Sequence, residues 1–124
     1  MVLTELNPKG NFDSWDKKKL NEIKQNTFST KIGDTLFEND ELVLSEIILK
    51  PGERTPFRKH ANDYSCTCFT DGLLVSRNVN GQIGLLRFDQ GDQFYWTCSK
   101  KETIHDLENI GENTVIIKVL EIKR

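Results

Sequence analysis

The sequence predicts an all-β barrel or sandwich carrying a short helical extension at its N-terminus. Three observations lead there. From Thr35 onward, short apolar runs recur between Gly-, Pro- and Asn-containing turn signals. The pair Asn80–Gly81 stands between two strand-like runs, the strongest short signal for a hairpin. The first thirty residues differ in texture and hold a run of good helix formers.

Each element follows in order. Trp15–Gln25 (WDKKKLNEIKQ) reads as a helix that Asp13 or Ser14 can cap. Phe12 with Trp15, and Leu20 with Ile23, are i,i+3 pairs able to pack it on the main body. Lys17–Lys18–Lys19 reads as a solvated helix face. Leu42–Leu49 (LVLSEIIL) is long enough for one strand buried on both faces, and Pro51–Gly52 stops it. Tyr64–Phe69 suits a pleated surface, and Asp71–Gly72 turns the chain. Leu73–Val79 and Gln82–Phe88 flank the Asn-Gly pair. Gln90–Gly91–Asp92 turns into Gln93–Thr97, and Thr103–Asn109 and Thr114–Ile122 close the chain. The total is roughly eight strands, with no internal repeat.

Composition narrows the class. A chain of 124 residues is sized for one domain of the roughly 100–200 expected, too short for a two-domain enzyme. It divides into an extension over 1–30 and a β domain over 31–124. The 17 Lys and Arg against 19 Asp and Glu give a net charge of −2, without the basic field that a nucleic-acid binder needs. No run approaches the roughly 20 apolar residues of a membrane span, and the N-terminus lacks a signal pattern. The expectation is a cytoplasmic protein that contacts neither membrane nor nucleic acid. Three cysteines, Cys66, Cys68 and Cys98, make no disulfide framework and read as reduced, buried thiols.

The chemistry gathers around the two histidines of the chain, His60 and His105. Each sits near the start of a strand-like run, and only a folded sheet brings them together. Pro51–Gly72 (PGERTPFRKHANDYSCTCFTDG) resembles the first motif of the cupin superfamily, a Gly, a His-x-His pair, a Glu and a closing Gly. Gly52 and Gly72 match the glycines and His60 the second His, while Arg58 stands in place of the first His and Ser65 or Tyr64 in place of the Glu. Gly91–Asn109 resembles the second motif, through Gly91, His105 and Asn109, with a longer loop that lacks the usual Pro and Gly. The resemblance spans Thr35 to Arg124. It implies a double-stranded β-helix, the jelly-roll barrel of cupins, and a homodimer, with the N-terminal residues able to reach a partner.

The departures shape the functional expectation. The resemblance implies iron, manganese, nickel or zinc held by three histidines and a glutamate. Here two of the four motif positions remain as metal ligands, His60 and His105, because a guanidinium offers only donors and a serine ligates poorly; Tyr64, Cys66, Cys68, Asp63 or water could join them. Arg58 and His60, two apart on a strand, would face one cavity. An inward guanidinium seeks an anion, so a small organic acid is the expected ligand, with Arg58, Tyr64, Ser65 and Trp96 around it. Glu53, Asp63 or Glu102 could instead pair Arg58 internally. His60 and His105 are the candidate acid–base groups for isomerase, lyase or metal-assisted chemistry. The alternative is a non-catalytic pocket that binds or senses a metabolite. Phe94 and Trp96 share one strand face and Tyr95 the other. Asn109 is expected to bond backbone near its turn. A Cys98–His105 nucleophilic pair is conceivable.

Overall fold

The computed structural model describes residues 2–6, 15–25, 28–30, 33–97 and 103–123. Among these described residues ten strands and one helix follow in the order β1 (Val2–Glu5), α1 (Lys17–Gln25), β2 (Asp34–Glu38), β3 (Leu42–Leu49), β4 (Arg54–His60), β5 (Asp63–Cys68), β6 (Gly72–Arg77), β7 (Ile83–Phe88), β8 (Gln93–Trp96), β9 (Thr103–Asn109) and β10 (Val115–Ile122). They form two antiparallel five-stranded sheets, β1-β7-β6-β9-β4 and β2-β3-β10-β5-β8: the all-β architecture that the turn signals predict, in the jelly-roll form that the resemblance implies.

Several local expectations needed correction. The N-terminal extension is not wholly helical: Val2–Glu5 is a strand, paired with β7 from Val2↔Arg87 to Glu5↔Gly84. Asp13, Ser14 and Phe12 lie outside the described residues. Asp16 caps the helix, its carboxylate accepting the Lys19 N–H at 2.9 Å, the bond an N-cap makes to the third helical residue. β3 buries one face only. Ser45, Ile47 and Leu49 point into the core, whereas Ile48 is 48% exposed. Its apolar run continues outward because the outer face of that sheet is apolar too. Asn80–Gly81 turns the chain, but within a longer loop: β6 ends at Arg77 and β7 begins at Ile83. Gly81 takes a φ of 91°, and the Asn80 side chain accepts the Gln82 N–H.

The turns at one end of the barrel explain its closure. Lys50–Glu53 is a type II turn, with Pro51 in its second place, Gly52 at φ 85° in its third, and a 2.9 Å bond from the Glu53 N–H to the Lys50 carbonyl. Asn109, fully buried, bonds backbone as expected. Its amide donates to the carbonyls of Leu49 and Asn113, and its side-chain oxygen accepts the Gly111 N–H. A Cβ at Gly72 would lie 2.3 Å from the Phe88 ring, so that ring packs directly on the backbone. Leu49, Cys68 and Val115 complete a solid apolar floor there.

The helix is held to the outer face of the first sheet. Trp15 stacks on Phe57 at 5.8 Å, and the Arg54 guanidinium lies 5.1 Å from the centre of the same ring. A bulge in β4 between Thr55 and Arg58 lets Phe57 face outward, toward the helix, while Arg58 opposes His105. Arg54 bridges Glu22 at 2.7 Å and Asp106 at 2.6 Å. Asp106, with no exposed surface, also accepts the Arg77 backbone N–H at 2.7 Å and its guanidinium at 3.1 Å. Arg77 continues to Glu108 at 2.9 Å. Burial pushes the Glu22 carboxyl up, but the Arg54 guanidinium and the Phe57 N–H outweigh it and hold it below its usual range.

Candidate functional site

The end opposite the floor is hollow. A cavity of about 250 Å³ opens where β4 meets β5, β6 meets β7 and β8 leads to β9. Its walls are mostly apolar, among them Ile47, Leu74, Leu86, Phe94, Trp96 and Leu107. Strand alternation puts them there. In β8, Phe94 and Trp96 face inward, while Tyr95 is 57% exposed and its hydroxyl bonds Asp63 at 3.4 Å. Cys66 also lines the wall, and burial pushes its thiol up to about 12, so it stays protonated.

Within this apolar shell the two imidazoles meet. His60 ends β4 and His105 lies near the start of β9, and their ring centres are 4.7 Å apart. Tyr64 completes the cluster, its ring 5.4 Å from that of His60. The Nδ1 atom of His105 lies 3.3 Å from both the Asp106 carbonyl and the Ser76 Oγ. A carbonyl only accepts, so that contact places the proton on Nδ1 and leaves the lone pair on Nε2. His60 is 7% exposed, and its Nδ1 has no hydrogen-bond partner among the described residues. Burial, and then the charges of His105 and Arg58, push its pKa down to about 3. Burial lowers His105 as well, against the opposing pull of the Asp106 carbonyl and carboxylate. Both rings are therefore neutral at pH 7.

The other expected site residues separate. Tyr64 and Trp96 line the cavity; Ser65 does not, since it pairs with outward-facing Tyr95 across the sheet. Arg58 opposes His105 in register but is absent from the lining. It is half-buried, and burial lowers its pKa. It makes no ion pair among the described residues: the Glu53 carboxylate accepts the Lys50 N–H, and Asp63 lies against Tyr95. Cys98 and Glu102 lie outside the described residues.

Five polar lining residues escaped the sequence reading: Glu5, Ser76, Asn78, Gln82 and Thr103. Asn78 bridges to His105 across the sheet, and Thr103 pairs with His60. Such residues carry no motif. For Ser76, two places after buried Leu74 on the same strand face, alternation was the available signal.

The donor set does not fit the metal centre that the resemblance implies. A catalytic site wants three protein ligands, and among the described residues no group of three His, Cys, Asp or Glu could hold an ion. The positions of the missing ligands hold an arginine outside the lining and an outward serine, and the Cys66 thiol resists ionisation.

No family model matches the sequence, and no curated protein matches it. Solved structures do. A cupin domain from Bordetella pertussis Tohama I aligns with a TM-score of 0.66 at 19% identity, over 79% of this chain and 98% of that one. A conserved protein with a double-stranded β-helix domain from Klebsiella pneumoniae aligns at 0.57 and 15% identity, over 81% and 85%. A cupin superfamily protein from Desulfitobacterium hafniense DCB-2 aligns at 0.55 and 11%, over 79% and 83%. Among the described residues no helix is long and apolar enough to cross a membrane.

Proposed function

Because the chain folds as a cupin, we propose that its barrel binds a small organic molecule with an apolar body and one polar end, without a metal. The observation that carries this is the cavity itself, about 250 Å³, walled by hydrocarbon and aromatic rings and broken by a compact polar cluster around His105. That volume is just under the roughly 300–1,000 Å³ of pockets for drug-sized ligands, so the guest is small. Binding accounts for the cavity better than acid–base catalysis. A general acid or base works best with a pKa near the operating pH, and His60, at about 3, is a weak base.

A thermal-shift panel of short-chain alcohols, ketones and carboxylates tests the proposal. At tenfold excess over Kd, a ligand stabilises by about 1.4 kcal/mol, a rise of about 5 °C. Leu107→Phe narrows the cavity and should abolish the rise. A flat panel, or equal shifts in both proteins, would refute the reading.

A second reading keeps the organic acid. Arg58 supports it, as a half-buried guanidinium that makes no ion pair among the described residues, with Asp34 within electrostatic reach, and whose charge reaches both imidazoles. On that reading carboxylates stabilise the wild type and not Arg58→Ala. Equal stabilisation of the two rules Arg58 out as the clamp.

We also propose a homodimer. The outer face of the second sheet presents Phe37, Leu44, Ile48, Ile116, Leu120 and Ile122, with Phe37 55% and Ile48 48% exposed. Glu46 and Lys118 pair in register near the middle of this face, so a second copy related by a twofold axis can set each charge against its opposite. Sedimentation should find a dimer that Ile48→Glu converts to monomer. A monomeric wild type at high concentration would dismiss it.

A further inference from the structure

Strand β1 is an unusual wall. It holds an outer edge of the first sheet, and its four residues are all exposed, yet Leu3 and Glu5 both line the cavity. Leu3 has a built seat. It leans over Gly84, where a Cβ would lie 3.0 Å from its methyl carbon. Glu5, opposite Gly84 in register, lines the same cavity as Asn78, Gln82 and Ile83.

Among the described side chains that line this cavity, the Glu5 carboxylate only accepts, whereas Ser76, Asn78, Gln82, Thr103 and Tyr64 both donate and accept. Glu5 is the charged side chain among the described lining residues, and Arg58 stands outside it. His105 offers the Nε2 lone pair. The walls include Tyr64, Phe88, Phe94 and Trp96, whose ring faces attract cations. An ionised carboxylate only accepts hydrogen bonds and meets repulsion from Glu5, whereas an ammonium donates and is attracted.

We propose that β1 is the selectivity wall of the site, and that Glu5 directs it toward small apolar amines over the matching alcohols and carboxylates. This rests on the binding reading above and names the ligand class within it. Glu5 is exposed, so water screens its pull, and the preference is modest.

Fluorescence titration tests it. The chain has two tryptophans, so in Trp15→Phe the emission comes from Trp96 in the cavity wall. Hexylamine, 1-hexanol and hexanoate are titrated at pH 7. The expected order of affinity is amine, alcohol, carboxylate, with the amine ahead of the alcohol by about threefold to fivefold. In Glu5→Gln that advantage should vanish, the ratio of amine to hexanol affinity falling to about one. If hexanol binds but the amine has no advantage, or keeps it in Glu5→Gln, the selectivity proposal is overturned and the binding reading stands. If hexanoate binds best, the proposal is overturned in favour of the Arg58 reading. If no probe perturbs Trp96, the binding reading fails and this inference with it.

Discussion

Replacing Asp106 with alanine should cost about 3 kcal/mol of folding stability at pH 7, the largest loss we expect from a single change. Its carboxylate has no exposed surface, and it is shared by the Arg54 side chain and by both the backbone and the guanidinium of Arg77. Removing it strands a backbone N–H inside the protein and leaves two guanidinium groups short of a partner. The loss sits at the low end for a broken buried pair because Glu22 still holds Arg54 and Glu108 still holds Arg77. Asp106→Asn keeps an acceptor for the Arg77 N–H but sets an amide against the Arg54 donor, so it should recover only part of the loss. Urea melts of the three proteins measure this. A cost under about 1 kcal/mol for the alanine variant would show that the network does not anchor the helix to the sheet.

Acid should weaken the fold earlier than carboxylate titration alone would. His60 has a folded pKa of about 3, against an unfolded value of about 6.5. Below pH 6.5 the unfolded chain takes up a proton that the native cavity refuses. The stability attached to His60 is thus complete above pH 6.5 and falls as the pH drops toward 3. From pH 7 to pH 5 the loss is about 2 kcal/mol. His105 shifts in the same direction and steepens the slope. Glu22, held below the usual carboxylate range, contributes only at lower pH and leaves the window between 5 and 7 clear. In His60→Leu the loss between pH 7 and pH 5 should shrink by about 2 kcal/mol. Denaturant melts at pH 7, 6 and 5 would show it, and identical slopes for variant and wild type would mean that His60 takes up its proton in the folded state.

How far the sequence carried is clearest at particular strands. Leu42–Leu49 and Thr103–Asn109 are strands with the bounds the apolar pattern and turns predict. The sharing of one face by Phe94 and Trp96 also followed from a period of two. The same rule puts Arg58 and His60 on one face, but it cannot say how far along a curved barrel a side chain stays inside the hollow, and Arg58 falls beyond it. Tyr64 or Ser65 was undecidable because one residue of slip reverses a strand; the pairing of Ser65 with Tyr95 resolves it. β1 was missed because four residues without strict alternation carry almost no periodic signal. The role of Asp106 was illegible for another reason. Its partners stand 29 and 52 positions away, and nothing local marks a charge destined for the interior.

The packed floor built on Gly72, Phe88 and Val115 has a kinetic corollary. A barrel sealed at one end is a blind sac, so a guest departs by the path it arrived on. A rim side chain that merely obstructs slows both journeys by the same factor and leaves the equilibrium untouched. A side chain that touches the resident molecule alters its escape alone. Stopped-flow rates at the rim would therefore sort gatekeepers from true contacts, a distinction that equilibrium titration cannot make.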